Sequence, residues 1–94
     1  MPKKGIDWEA KKLLMESLNK LKSDEFIDFL ESLLSSTEIK NISRRTMAAK
    51  LLIERNTYED VEELMGMSPG TINKIHFKTK GSPAFRKLFR KEND

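Results

Sequence analysis

The stretch TYEDVEELMGMSPGTINKIHFKTKG, residues 57–81, constrains the fold more than any other part of the chain. Two helical patterns stand almost end to end in it, parted only by Gly66, Met67 and Ser68. A chain that stops one helix and caps another this soon must turn a tight corner. Glycine suits the corner because it takes a left-handed backbone conformation without steric cost. Thr57 is placed to cap the first helix, with Asp60 at the capping-box position. Ser68 caps the second, and Pro69 takes its first position, where the missing N–H is harmless. The spacing makes Val61 and Met65 the inward residues of the first helix, Gly66 the turn and Met67 the plug of the corner. Ile72 and Ile75, about one turn apart, pin the second helix to the first. This is the pattern of a helix-turn-helix. Glu62 departs from it, standing where close helix approach favours a small residue.

The remaining segments also read as helices, with no alternating β-branched run long enough for a strand. The first is expected from Asp7, as N-cap, to about Leu21, with a stripe of Ala10, Leu13, Leu14, Leu18 and Leu21. Ser23 is expected to cap the second, which carries Phe26, Ile27, Phe29, Leu30, Leu33 and Leu34. Ser36 or Thr37 starts the third, whose buried face is marked by Ile39, Ile42, Ala49, Leu52 and Ile53. Ser82 and Pro83 repeat the start signal for a sixth helix bearing Phe85, Leu88 and Phe89. The expectation is an all-α protein of six helices in a single domain spanning residues 1–94. Within it, residues 1–56 supply dimerisation helices, 57–80 the helix-turn-helix and 82–91 a C-terminal helix. The first few residues and the final KEND are expected to fray.

Several functions are set aside by what the chain lacks. It has 94 residues and no cysteine, so disulfides, a thiol nucleophile and cysteine-ligated zinc are excluded. No apolar run approaches the ~20 residues needed to span a bilayer, and the lysines of MPKKGIDWEA precede no signal-like apolar stretch. A reducing cytoplasm, close to the nucleoid, is the expected setting, with no membrane and no metal among the partners. His76 is the only histidine, and its place beside Ile72 suits a packed or rim residue better than a catalytic base. Ser35, Ser36 and Ser82 read as caps or helix ends, and GMSPG lacks the lysine and length of a phosphate loop. No enzyme activity and no cofactor are expected.

The net charge is +3, but its distribution matters more than its total. No acidic residue occurs between Glu63 and Glu92, while Lys74, Lys78, Lys80, Arg86, Lys87, Arg90 and Lys91 all fall there. A chain so polarised can present one positive surface to a polyanion. With Ile72 and Ile75 inward, the other face of the fifth helix holds Gly70, Asn73, Lys74, Phe77 and Lys78. Ser68, Pro69, Gly70 and Thr71 form its N-terminus, where free N–H groups suit a phosphate. Asn73 can read adenine, and Lys74 can reach guanine or a phosphate. Lys78 and Lys80 suit phosphates. Phe77 could pack on a partner chain or touch a thymine methyl. Arg44, Arg45 and Lys50 could add backbone contacts or face solvent. The pattern points to double-stranded DNA. A helical protein-interaction module, its corner architectural and its basic face docking an acidic protein, is the alternative at this level.

The segments SRRTMAAKLLIERNTYEDVEELMGMSPGTINKI and GSPAFRKLF together resemble the Trp repressor superfamily, in particular its small Trp-repressor-like branch of YerC/YecD type. The resemblance runs from about Phe26 to Lys91. It implies an all-helical, intertwined homodimer, with two recognition helices in successive major grooves and half-sites about one helical turn apart. It also implies a transcription regulator, a repressor by analogy. In the Trp repressor, tryptophan lies between two arginines, and a glycine leaves room for the indole. By resemblance those positions are Thr46, Lys74 and Ile75 here. The expectation is that Ile75 fills the slot and that tryptophan is not the co-repressor.

Overall fold

The structure, a computed structural model, describes residues 5–90. The two ends expected to fray, and with them Lys91 of the expected C-terminal helix, lie outside the described residues. Six α-helices account for most of the rest, and no strand occurs among the described residues. The chain divides into two compact units, one up to Ser36 and one from Thr37 onward.

In the first unit, α1 covers Ile6–Lys20 and α2 covers Phe26–Leu33. The start of α1 differs from expectation: Gly5, at φ 86°, is the N-cap, and Asp7 lies in the first turn with Glu9. A carboxylate is favourable in either place, as a cap or against the positive end of the helix dipole. Ser23 likewise does not cap α2. It opens a short 3₁₀ turn, Ser23–Glu25, that leads into the helix. Glu25 Oε1 accepts a hydrogen bond from the Lys22 amide at 2.8 Å and so closes that turn. No residue of α1 or α2 is buried within the chain. Leu13 is 64% exposed and Leu33 63%, and Leu14, Phe26 and Ile27 are also exposed. The apolar stripes therefore exist as faces that are covered in part: Leu18, Leu21, Phe29, Leu30 and Leu34 are half-buried, and the rest of each stripe is exposed.

α3 covers Ser36–Ile53 and carries the first buried residues, Ala48, Ala49 and Leu52. Ile39 and Ile53 are half-buried, but Ile42, expected on the buried face, is exposed. The helix ends with Arg55 in the left-handed region at φ 69°. Its Leu51 carbonyl accepts from both the amide and the side-chain Nδ2 of Asn56, at 3.0 and 2.9 Å. Carbonyls of a last turn need such outside donors. Next come α4, Tyr58–Met65, α5, Pro69–Thr79, and α6, Pro83–Phe89.

One apolar cluster organises this second unit: Ala48, Ala49 and Leu52 of α3, Val61 of α4, and Ile72 and Ile75 of α5. Leu51, Tyr58, Met65, Met67 and Phe85 pack around it. Phe85 brings α6 to the cluster. Ser82 Oγ caps that helix by accepting from the Phe85 amide at 3.4 Å, with Pro83 in the first turn. Leu88, on the same helix, is 66% exposed.

Candidate nucleic-acid interface

The corner between α4 and α5 is built from local rules. Thr57 Oγ1 accepts from the Asp60 amide at 3.1 Å, and the Asp60 carboxylate accepts from the Thr57 amide at 3.2 Å. This reciprocal pair fixes where α4 begins. The helix ends at Gly66, whose φ of 64° and ψ of 34° lie in the left-handed region, and whose amide donates to the Glu62 carbonyl at 2.8 Å. Ser68 Oγ then accepts from the Thr71 amide at 3.3 Å, and Pro69 stands in the first turn of α5. Val61 and Ile72 are wholly buried, Ile75 nearly so, and Met65 and Met67 are half-buried against the same cluster. Gly66 and these five side chains thus meet at one corner. Glu62 is half-buried beside them.

The outward residues of α5 lie off the apolar cluster. Ser68, Pro69, Gly70, Thr71, Asn73, Lys74, Phe77, Lys78 and Lys80 are all exposed. At 3.6 residues per turn, Gly70, Asn73, Lys74 and Phe77 share one stripe, and Lys78 and Lys80 fall on opposite flanks of it. Lys80, one residue beyond the helix, holds its ammonium 5.2 Å from the centre of the Phe77 ring. That contact gives Phe77 an intramolecular partner, although 73% of it stays exposed. Among the α3 cations, Arg44 donates through Nη2 to the Met65 carbonyl at the end of α4. Its charge sits where the helix dipole is negative. Lys50 pairs with Glu54 at 2.8 Å. Arg44 and Lys50, two of the four α3 cations, are thus engaged within the chain.

Arg45, on the same helix, lines a half-open cavity of about 520 Å³ together with Thr46, Lys74, Ile75, Lys78 and Phe85. Thr46, Lys74 and Ile75 therefore do come together, as the resemblance implied. Ile75, however, walls this space rather than filling it, and a guanidinium stands next to Thr46 in the lining. On the other flank of α5, Tyr58 Oη lies 3.2 Å from Asn73 Oδ1 and 2.7 Å from His76 Nδ1. Sequence reasoning did not find this three-residue network. Its members are 15 and 18 residues apart, and only the folded corner joins them. No group of histidines and carboxylates suited to a metal occurs among the described residues. No helix among them is long and apolar enough to cross a membrane.

A family model described as Trp repressor protein matches residues 9–93. The chain belongs to the Trp repressor family. No curated protein and no solved structure matches it. Trp repressor family membership makes the chain a DNA-binding transcription regulator of the helix-turn-helix type, in a family of regulators rather than enzymes. The match extends through α1 and α2 as well as the corner, further toward the N-terminus than the motifs in the sequence suggested. In this family member the second helix of the corner has one buried face and one exposed face, and carries no acidic residue.

Proposed function

We propose that this chain is a sequence-specific regulator of the Trp-repressor-like YerC/YecD branch, acting as a homodimeric repressor on double-stranded DNA in the cytoplasm, without tryptophan as co-repressor. The observation that carries the reading is the split along α5. Ile72 and Ile75 are buried, while Asn73, Lys74 and Lys78 are exposed and have no acid near them in sequence. Such a face can enter a major groove, with Asn73 and Lys74 meeting base edges and Lys78 and Lys80 the phosphates. Ser68, Pro69, Gly70 and Thr71 offer a helix N-terminus to a phosphate. The homodimer is supported by the uncovered leucines and phenylalanine of α1, α2 and α6, since apolar faces of this extent mark association surfaces. Independence from tryptophan rests on the resemblance, which puts Lys74 and Ile75 where the indole site of the Trp repressor has an arginine and a glycine; both line the cavity here.

Selection from a random duplex DNA pool, at near-physiological salt and without tryptophan, tests the reading. A palindrome with half-sites about one helical turn apart is the expected result. Retention of unsorted DNA, released steeply by salt, would replace sequence reading by backbone binding. Tryptophan added to the binding reaction leaves the affinity unchanged. A monomer mass in light scattering at micromolar concentration would remove the dimer.

A further inference from the structure

Asn73 is exposed on α5, yet its carboxamide is not free. Tyr58, the first residue of α4, reaches across the corner and holds Asn73 Oδ1 at 3.2 Å. The same hydroxyl is 2.7 Å from His76 Nδ1, and the tyrosine and histidine rings meet edge to face with centroids 5.6 Å apart. Tyr58 and His76 are half-buried, so the network runs from the packed side of the corner to its open face.

Proton counting gives the network a direction. A phenolic hydroxyl has one hydrogen to donate. With the carboxamide oxygen turned toward Tyr58, that hydrogen goes to Asn73 Oδ1. The short contact to His76 must then be donated by an Nδ1–H, accepted by the lone pair of the tyrosine oxygen. A histidine with its hydrogen on Nδ1 therefore selects one orientation of the asparagine amide. Its Nδ2 is left pointing away from Tyr58, and Oδ1 keeps a second lone pair. If Nδ1 were bare, Tyr58 would donate to it instead, and Asn73 would have to turn over and donate its amide hydrogen to the tyrosine oxygen.

We infer that Tyr58, oriented by His76, is a positioning residue that fixes the donor and acceptor order of Asn73 and thereby its choice of base. This deepens the proposed function and rests on Asn73 as a base contact. In the fixed orientation Nδ2 meets the N7 acceptor of adenine, while the second lone pair of Oδ1 accepts from the adenine amino group. An untethered asparagine on an exposed helix face would sample both orientations and lose order on binding. The tether removes that loss for one orientation and leaves the other without its hydrogen bond.

The test uses the full-length protein and a set of duplexes varied at one base pair at a time. Tyr58→Phe removes only the hydroxyl. It is expected to lower the preference for adenine over the other bases, at one position in each half-site, by about 3- to 10-fold, the worth of one net hydrogen bond. Preferences at all other positions stay unchanged, and the variant stays folded with a slightly lower unfolding midpoint. Combining Tyr58→Phe with Asn73→Ala is expected to add nothing to Asn73→Ala alone at that position. Asn73→Ala that alters base preference beside a silent Tyr58→Phe overturns the positioning role and leaves the DNA reading intact. Asn73→Ala that alters no base preference overturns both. A uniform loss of affinity across all duplexes in Tyr58→Phe would make the residue merely structural. Nitrogen NMR of the unsubstituted protein is an independent check. His76 is expected to carry its hydrogen on Nδ1, and a bare Nδ1 would overturn the direction assigned to the network.

Discussion

Replacing Gly66 by alanine adds one methyl group at the corner between α4 and α5. Gly66 stands at φ 64°, and a β-carbon built there meets nothing within 4 Å. The substitution therefore introduces no clash, and its cost is the backbone term alone. Holding an L-residue left-handed costs roughly 1–2 kcal/mol. Alanine also restricts the unfolded chain more than glycine does, which returns about 0.4–1 kcal/mol. The net loss expected for Gly66→Ala is about 1 kcal/mol, a shift of about 4–8 °C in the midpoint of a domain this size. Gly66→Asn should lose less, because asparagine tolerates the left-handed region better than other side chains. Gly70 is the internal comparison: it too has open space around its β-position, but it lies within α5 at a negative φ. Gly70→Ala should leave stability unchanged or raise it, by up to ~1 kcal/mol. Thermal and urea unfolding followed by circular dichroism, at one fixed protein concentration, read all three variants. An unchanged midpoint in Gly66→Ala would mean that the corner is not held left-handed. A loss above ~3 kcal/mol would mean that the added methyl meets a packed surface, and the backbone account would be refuted.

Three further outcomes can be checked in parallel. Ile72→Ala empties a fully buried site and should cost ~2–5 kcal/mol in the same unfolding assay. Ser68→Ala removes the oxygen that accepts from the Thr71 amide and should cost ~1 kcal/mol, with DNA binding weakened in step at elevated temperature. Lys78→Ala should weaken binding about equally for all sequences and flatten the logarithmic salt dependence by about 0.9 for the phosphate it no longer meets. A base-selective loss would move Lys78 from phosphate contact to base contact.

The corner was legible from the sequence because its determinants are local. Thr57 with Asp60, Ser68 with Thr71 and Ser82 with Phe85 each make their hydrogen bonds within three residues, so a short reading frame contains the whole interaction. The start of α1 was less legible for the same reason turned around. An acid at Asp7 suits both a cap and a first turn, and only the left-handed Gly5 decides between them. Periodicity showed which faces of α1, α2 and α3 are apolar but not what lies against them, which is why Leu13 and Leu33 stand exposed on their stripes and Ile42, expected on a buried face, is exposed too. Arg44 and Lys50 look alike in sequence, and their commitments to Met65 and Glu54 depend on where α3 and α4 come to lie and on helical spacing respectively. The Tyr58, Asn73 and His76 network and the cavity beside Ile75 need the folded corner and have no signal at fixed spacing.

Along α5, the residues that hold the helix and those that face outward are different ones. Ile72 and Ile75 carry the packing, and Lys74 and Lys78 carry none. A lineage can therefore change the outward residues one at a time, drifting to new operators while its fold stays under no added selection. Asn73 is the exception. Its tie to Tyr58 crosses from the freely varying face to the packed corner. A new side chain at 73 leaves the tyrosine hydroxyl with His76 but without the acceptor for its hydrogen, so substitutions at 58 and 73 should arise as correlated pairs among descendants. On the proposed reading, one contact of the recognition helix evolves slowly while its neighbours are free to diverge.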